Sequence, residues 1–108
     1  MTGPRVRVLV YAAAPDDSKD ALTDAYHHIS RELSGTPGLL GNELLCSLTE
    51  PGGFLVMSEW DSLDSFRTWE EGTRHRQTTA PLRSFQDGSR GRSFALYTVS
   101  AAYPEERS

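Results

Sequence analysis

The sequence predicts an α+β domain whose elements run β-α-β-β-α-β, with one antiparallel sheet and both helices on the same side of it. Three observations predict it. Apolar residues alternate with period two near Val6–Val10 and again from Ser93 to Ala101, which is strand spacing. Two other stretches, Lys19 to Leu33 and Leu63 to Trp69, space them by three and four, which is helix spacing. Glycine and proline mark the joins, at Gly35, Pro37 and Gly38, at Pro51, Gly52 and Gly53, and at Gly72.

The elements follow in order. Val6, Val8 and Val10 alternate with Arg7, Leu9 and Tyr11 in a β-branched run that reads as the first strand. Pro15 ends it, and Asp16, Asp17 and Ser18 suit the start of a helix, where they accept from free N–H groups and oppose the positive dipole end. Leu22, Ala25, Tyr26, Ile29 and Leu33 then form one helical stripe. Leu39 to Leu48 reads as the second strand and Phe54 to Trp60 as the third, joined by a hairpin over Thr49 to Gly53. Asp61 is placed to cap the second helix, with Asp64 at its third position. Leu63, Phe66 and Trp69 form its apolar face. His75 to Ala80 is expected to form a short extra turn, Ser93 to Ala101 the fourth strand, and 104–108 a frayed tail. This is the ferredoxin-like plan, with residues 1–108 as a single domain.

The third strand is apolar on both faces, with Phe54, Val56 and Trp60 on one and Leu55 and Met57 on the other. Helices cover only one face, so something must cover the second. In a chain of 108 residues the expected cover is another copy, at ~800 Å² per partner. The domain is expected to be a homodimer.

Composition narrows the function. The chain is 37% hydrophobic, 24% charged and carries a net charge of −4, which fits a globular protein and disfavours nucleic-acid or anionic-membrane partners. A lone cysteine, Cys46, allows no internal disulfide. The apolar N-terminal run is too short to span a bilayer and is read as a strand rather than a signal peptide, so a cytoplasmic location is expected. No glycine-rich phosphate loop, nucleophile elbow, CxxC or HExxH is present, so a nucleotide, flavin or zinc site would have to be unorthodox.

Three large aromatics, Trp60, Phe66 and Trp69, lie within ten residues. They serve either as plain core or as the walls of a cleft for a flat ring. His75 sits between Arg74 and Arg76; it is either a proton shuttle beside an anion-holding arginine or part of a basic surface turn. His27 and His28 fall off the apolar stripe and are expected to be exposed. Cys46 is expected to be a buried, inert thiol. Asn42 is polar within an apolar strand, so its amide needs partners, in a pocket or a dimer interface.

The run Glu59-Trp60-Asp61-Ser62, followed by Phe66-x-x-Trp69 and then His75, resembles the antibiotic biosynthesis monooxygenase superfamily, as does Pro37-Gly38-Leu39-Leu40-Gly41 leading into the second strand. The resemblance covers most of the chain and implies a dimeric α+β barrel. Family activities include oxidation of anthrone-like aromatic polyketides by dioxygen without metal, flavin or haem. They also include haem degradation, quinol oxygenation and small-molecule cyclisation. Trp60 matches the pocket tryptophan of the polyketide oxygenases, whose asparagine and tyrosine are replaced here by Val56 and Phe66. Trp69 matches a tryptophan of the haem-degrading members. Thr79 stands where their axial histidine would fall, and Val6 to Ala12 holds no asparagine.

The resulting expectation is a cofactor-independent monooxygenase of secondary metabolism, with dioxygen as co-substrate, acting on an aromatic polyketide-like phenol. Trp60, Phe66 and Trp69 would grip the ring, with His75 or Arg74 favouring its anion and Asn42, Ser58 or Tyr11 binding an oxygen. The alternatives are haem binding with ring cleavage, and a non-catalytic binding protein or cyclase.

Overall fold

The computed structural model describes residues 4–72, 80–83, 85–87 and 94–104. Four strands form one antiparallel sheet: β1 (Val6–Ala13), β2 (Leu39–Cys46), β3 (Gly53–Trp60) and β4 (Phe94–Thr98), in the order β2-β3-β1-β4. Two helices, α1 (Lys19–Leu33) and α2 (Leu63–Glu70), complete the ferredoxin-like plan. The Arg74 and His75 expectations, and most of the extra turn expected after α2, lie outside the described residues.

Register assigns the faces. Val6, Val8, Val10 and Ala12 stand opposite Trp60, Ser58, Val56 and Phe54. Side chains alternate along a strand, so these residues share one face. It is the face the helices cover. Leu22, Ile29 and Leu33 of α1 pack with Ala12, Ala14 and Leu82 in one core cluster. Phe66 of α2 packs with Val6, Val8 and Trp60 in another. Each such large side chain contributes roughly 1.5–3 kcal/mol on burial. The α1 stripe expected from spacing is thus the one that is buried, and His27 and His28 are exposed.

Local chemistry moves several boundaries and caps. β2 stops at Cys46 because the Ser47 hydroxyl accepts from the Thr49 and Glu50 amides, at 3.2 and 2.9 Å, and curls the chain into the hairpin. Leu48, expected in the strand, is 99% exposed. Ser62 rather than Asp61 caps α2: its hydroxyl accepts from the Ser65 amide at 3.2 Å. Asp61 is used differently, its amide donating to the Gly38 carbonyl at 2.8 Å and its carboxylate accepting from the Ser62 hydroxyl. Asp16 to Ser18 form a 3-10 turn before α1, and Ser18 makes no side-chain cap; Asp16 instead pairs with Lys19 at 3.1 Å.

Cys46 is exposed, contrary to the buried thiol expected. It ends an edge strand, where no neighbouring strand lies beyond it. The helix-free face carries Leu9, Tyr11, Leu55 and Met57, flanked by Leu45 at 40% and Tyr97 at 56% exposure. None of these six belongs to the core clusters. Arg7 and Glu59, a cross-strand pair on this face, form an ion pair at 3.1 Å.

Candidate functional site

Between the sheet, the two helices and the residues Leu82, Arg83 and Gln86 lies a cavity of about 580 Å³. That volume matches sites that take small organic ligands. The sheet supplies its floor through Val8, Val10, Val56 and Ser58, and α1 supplies one wall through Tyr26, Ile29 and Ser30. Trp60, Phe66 and Trp69 form the opposite wall.

The three aromatics are both core and wall. Trp60 is 1% exposed and Phe66 3%, so most of each ring is locked in the domain's interior. Trp60 meets Phe66 edge-on at 5.5 Å between centroids and lies tilted against Trp69 at 5.4 Å. Such pairs add about 0.5–1.5 kcal/mol beyond burial and fix the rings' angles. The half-buried Trp69 is the ring of the three with most surface left to offer. A buried indole N–H needs an acceptor, and Trp60 finds it two residues back: Nε1 donates to the Ser58 Oγ at 2.9 Å.

The polar wall is built on Asn42. Its side-chain oxygen accepts from the Ser30 hydroxyl at 3.1 Å, and its backbone carbonyl accepts from the Tyr26 hydroxyl at 3.2 Å. The amide expected to need partners has one, and it faces the cavity. From the sequence Tyr26 is expected only as part of the apolar stripe, and Ser30 has no assigned role. Their spacing of four residues places both on the edge of the α1 stripe, and that was the available signal.

Tyr11 is the exception among the expected residues that the structure describes. It stands opposite Leu55 on the helix-free face and borders a separate depression with Leu45 and Asp87. Period-two alternation puts it on the far side of the sheet from Val10, so it is not a wall of the cavity. Leu33, Leu82, Phe94, Glu70, Arg83 and Gln86 complete the lining, with Glu70 held by Arg67 at 2.9 Å. Among the described residues no histidine lines the cavity, and no three of His, Cys, Asp and Glu cluster as metal ligands would. Nor is any described helix long and apolar enough to cross a membrane.

Comparison with known proteins agrees with this architecture. Residues 5–81 match the family model for antibiotic biosynthesis monooxygenases. Protein SchA of Streptomyces halstedii is 30% identical over 105 residues, covering 97% of this chain and 27% of SchA. The 42.8 kDa protein in the whiE locus of Streptomyces coelicolor is 34% identical over 80 residues, 74% of this chain and 20% of its own length. Polyketide synthase CurD of Streptomyces cyaneus is 29% identical over 76% of this chain and 22% of its own. The chain therefore spans about a quarter or less of the curated relatives it matches. Among solved structures, a mutant form of SnoaB, a cofactor-independent oxygenase from Streptomyces nogalater, superposes with a TM-score of 0.76 at 14% identity, over 95% of this chain and 100% of SnoaB. A conserved protein from Methanosarcina mazei superposes with a TM-score of 0.71 at 13% identity, over 88% of this chain and 92% of its own. Given the match over residues 5–81 and the shared fold, this chain belongs to the antibiotic biosynthesis monooxygenase family.

Proposed function

We propose that this protein is a cofactor-independent monooxygenase of secondary metabolism that oxidises a polycyclic, polyketide-like phenol with dioxygen. The observation that carries this reading is the cavity itself: about 580 Å³, walled by three aromatic rings on one side and by the polar Asn42, Ser30 and Ser58 on another. A flat hydroxylated ring system matches both walls. The relatives from Streptomyces, one of them named a polyketide synthase, support the same substrate class. SnoaB's description as a cofactor-independent oxygenase supports the absence of a cofactor.

The chemistry asks little of the protein. Ground-state dioxygen is a triplet and reacts slowly with closed-shell molecules, but an ionised, electron-rich phenol can pass it one electron. Ionisation takes one proton from the ring CH2, so the anion spans that carbon and the ring oxygen. Recombination there forms a carbon–oxygen bond and, once protonated, a hydroperoxide whose remaining C–H proton is lost in the next step. The O–O bond then breaks, one oxygen staying as the new carbonyl and the other leaving as water. CH2 becomes C=O as one O2 is consumed, so no outside reductant is needed. The aromatic wall binds and orients the ring. Arg74 and His75 are assigned to favouring the anion, His75 as the proton acceptor. The homodimer belongs to this reading too, with the apolar helix-free faces together, and so does a cytoplasmic location.

The test is oxygen uptake with a hydroxylated anthrone in the presence of a metal chelator. One O2 consumed per quinone formed is the expected result. Tight binding of the anthrone without oxygen uptake would instead make this a binding protein. A Soret shift on adding hemin, followed by loss of the haem band, would favour haem cleavage.

A further inference from the structure

Asn42 and Ser58 stand directly opposite each other on β2 and β3. Residues so paired lie about 4.5–5.5 Å apart at Cα, and their side chains leave the sheet on the same face. Both line the cavity. What matters is which end of each group is already in use. The Asn42 Oδ1 accepts from the Ser30 hydroxyl, so the amide nitrogen is its remaining end. The Ser58 Oγ accepts from the Trp60 indole, so its own proton is left to give. Among the described residues, neither the Asn42 Nδ2 nor the Ser58 hydroxyl proton has an acceptor.

The bonds from Ser30 and Trp60 therefore each use an acceptor site on two neighbouring groups and leave both donors for the cavity. The indole cannot act otherwise, because it is a donor only. We propose that Asn42 and Ser58 form a two-donor seat for an anionic ring oxygen, a phenolate or enolate, on a planar ligand lying against the aromatic wall. Ser30 and Trp60 are positioning residues: each holds one donor in the orientation that serves the seat. Donors fixed before the charge arrives stabilise it without reorganising, as in oxyanion holes. The seat also explains how the cavity can favour a phenolate although Val56 and Phe66 offer no polar group there. The inference rests on the cavity taking a hydroxylated polycycle. It does not rest on dioxygen being consumed.

The experiment is an anaerobic pH titration of alizarin, a dihydroxyanthraquinone dye whose absorption moves to the red when its acidic phenol ionises, with chelator present. Bound to the native protein, the dye is expected to ionise at a lower pH than in water. Asn42→Ala and Ser58→Ala should each lower the bound dye's acid dissociation constant about tenfold from its value on the native protein, the worth of one hydrogen bond to a charged oxygen. Asn42→Asp, nearly isosteric but without the donor, should push ionisation above that of the free dye. Ser30→Ala should lose part of the shift, and Ser30→Thr should restore it. A far-ultraviolet circular dichroism spectrum and a urea unfolding midpoint close to the native ones report that each variant still folds. The seat is overturned if the native protein does not bind the dye or does not promote its ionisation, or if the variants leave the shift intact. Oxygen uptake, measured separately on an anthrone, can fail without moving any of these readings.

Discussion

Trp60 makes three kinds of contact through one side chain. Its ring fills the core and packs nearly perpendicular to Phe66, and its N–H engages Ser58. Truncating it should be costly: Trp60→Ala is expected to lose about 3–5 kcal/mol in urea unfolding, as large buried aromatics do. Trp60→Phe keeps most of the volume but removes the bond to Ser58, so about 1–2 kcal/mol is expected. Trp69, half-buried, should behave the other way round. Trp69→Ala is expected to cost less than half as much stability as Trp60→Ala, while weakening binding of a planar dye at least tenfold. Equal stability losses at the two positions, with dye binding intact, would make both rings core and nothing more. The aromatic set was legible in the sequence because three large rings at strand-end and helical spacing must meet. Its division into a deep ring and an accessible one was not, because burial depends on what the rest of the chain lays over each.

At the level of elements, the junction of β3 with α2 is locked by the segment leading into β2. Gly38 has a φ of +85°, and a Cβ there would collide with the Ser65 side chain and press on the Asp61 carboxylate. Its carbonyl also takes the Asp61 amide at 2.8 Å. Gly38→Ala combines a left-handed backbone with a steric clash and should cost about 2 kcal/mol or more. Gly41→Ala is the control: nothing lies within 4 Å of the added carbon and its φ is not positive, so a change within about 0.5 kcal/mol is expected. Chemical denaturation of the two variants decides it. Ser62→Ala, which removes the α2 cap, should lose about 1 kcal/mol. The element order and most boundaries followed from periodicity and from Gly and Pro. The cap moved by one residue because the helix begins at Leu63, which makes Ser62 the cap, while the Asp61 amide is drawn to the Gly38 carbonyl, a partner that local spacing does not reveal.

For the whole molecule, the helix-free face is the open question the fold creates. Leu55 lies at its centre, between Tyr11 and Leu45 on the neighbouring strands. If two copies bring these faces together, Leu55→Lys should bury a charge without a partner and dissociate the pair. Sedimentation of the native protein as a dimer and of Leu55→Lys as a folded monomer is the expected pair of results. A native monomer at tens of micromolar would leave the face to another partner.

What the sequence determined by itself was the set of elements, their order, the apolar stripe of α1, the two-faced β3 and the family resemblance. These are local or periodic properties, written in the spacing of a few residues. The tertiary structure decided which side chains meet. Only pairing in register set Asn42 beside Ser58, and only the packing of α1 on the sheet brought Ser30 and Tyr26 to Asn42. Strand alternation turned Tyr11 away from the cavity, and the position of β2 at the sheet's edge left Cys46 exposed. Each of these depends on contacts between residues distant in the chain, where spacing along the sequence carries no information about approach in space.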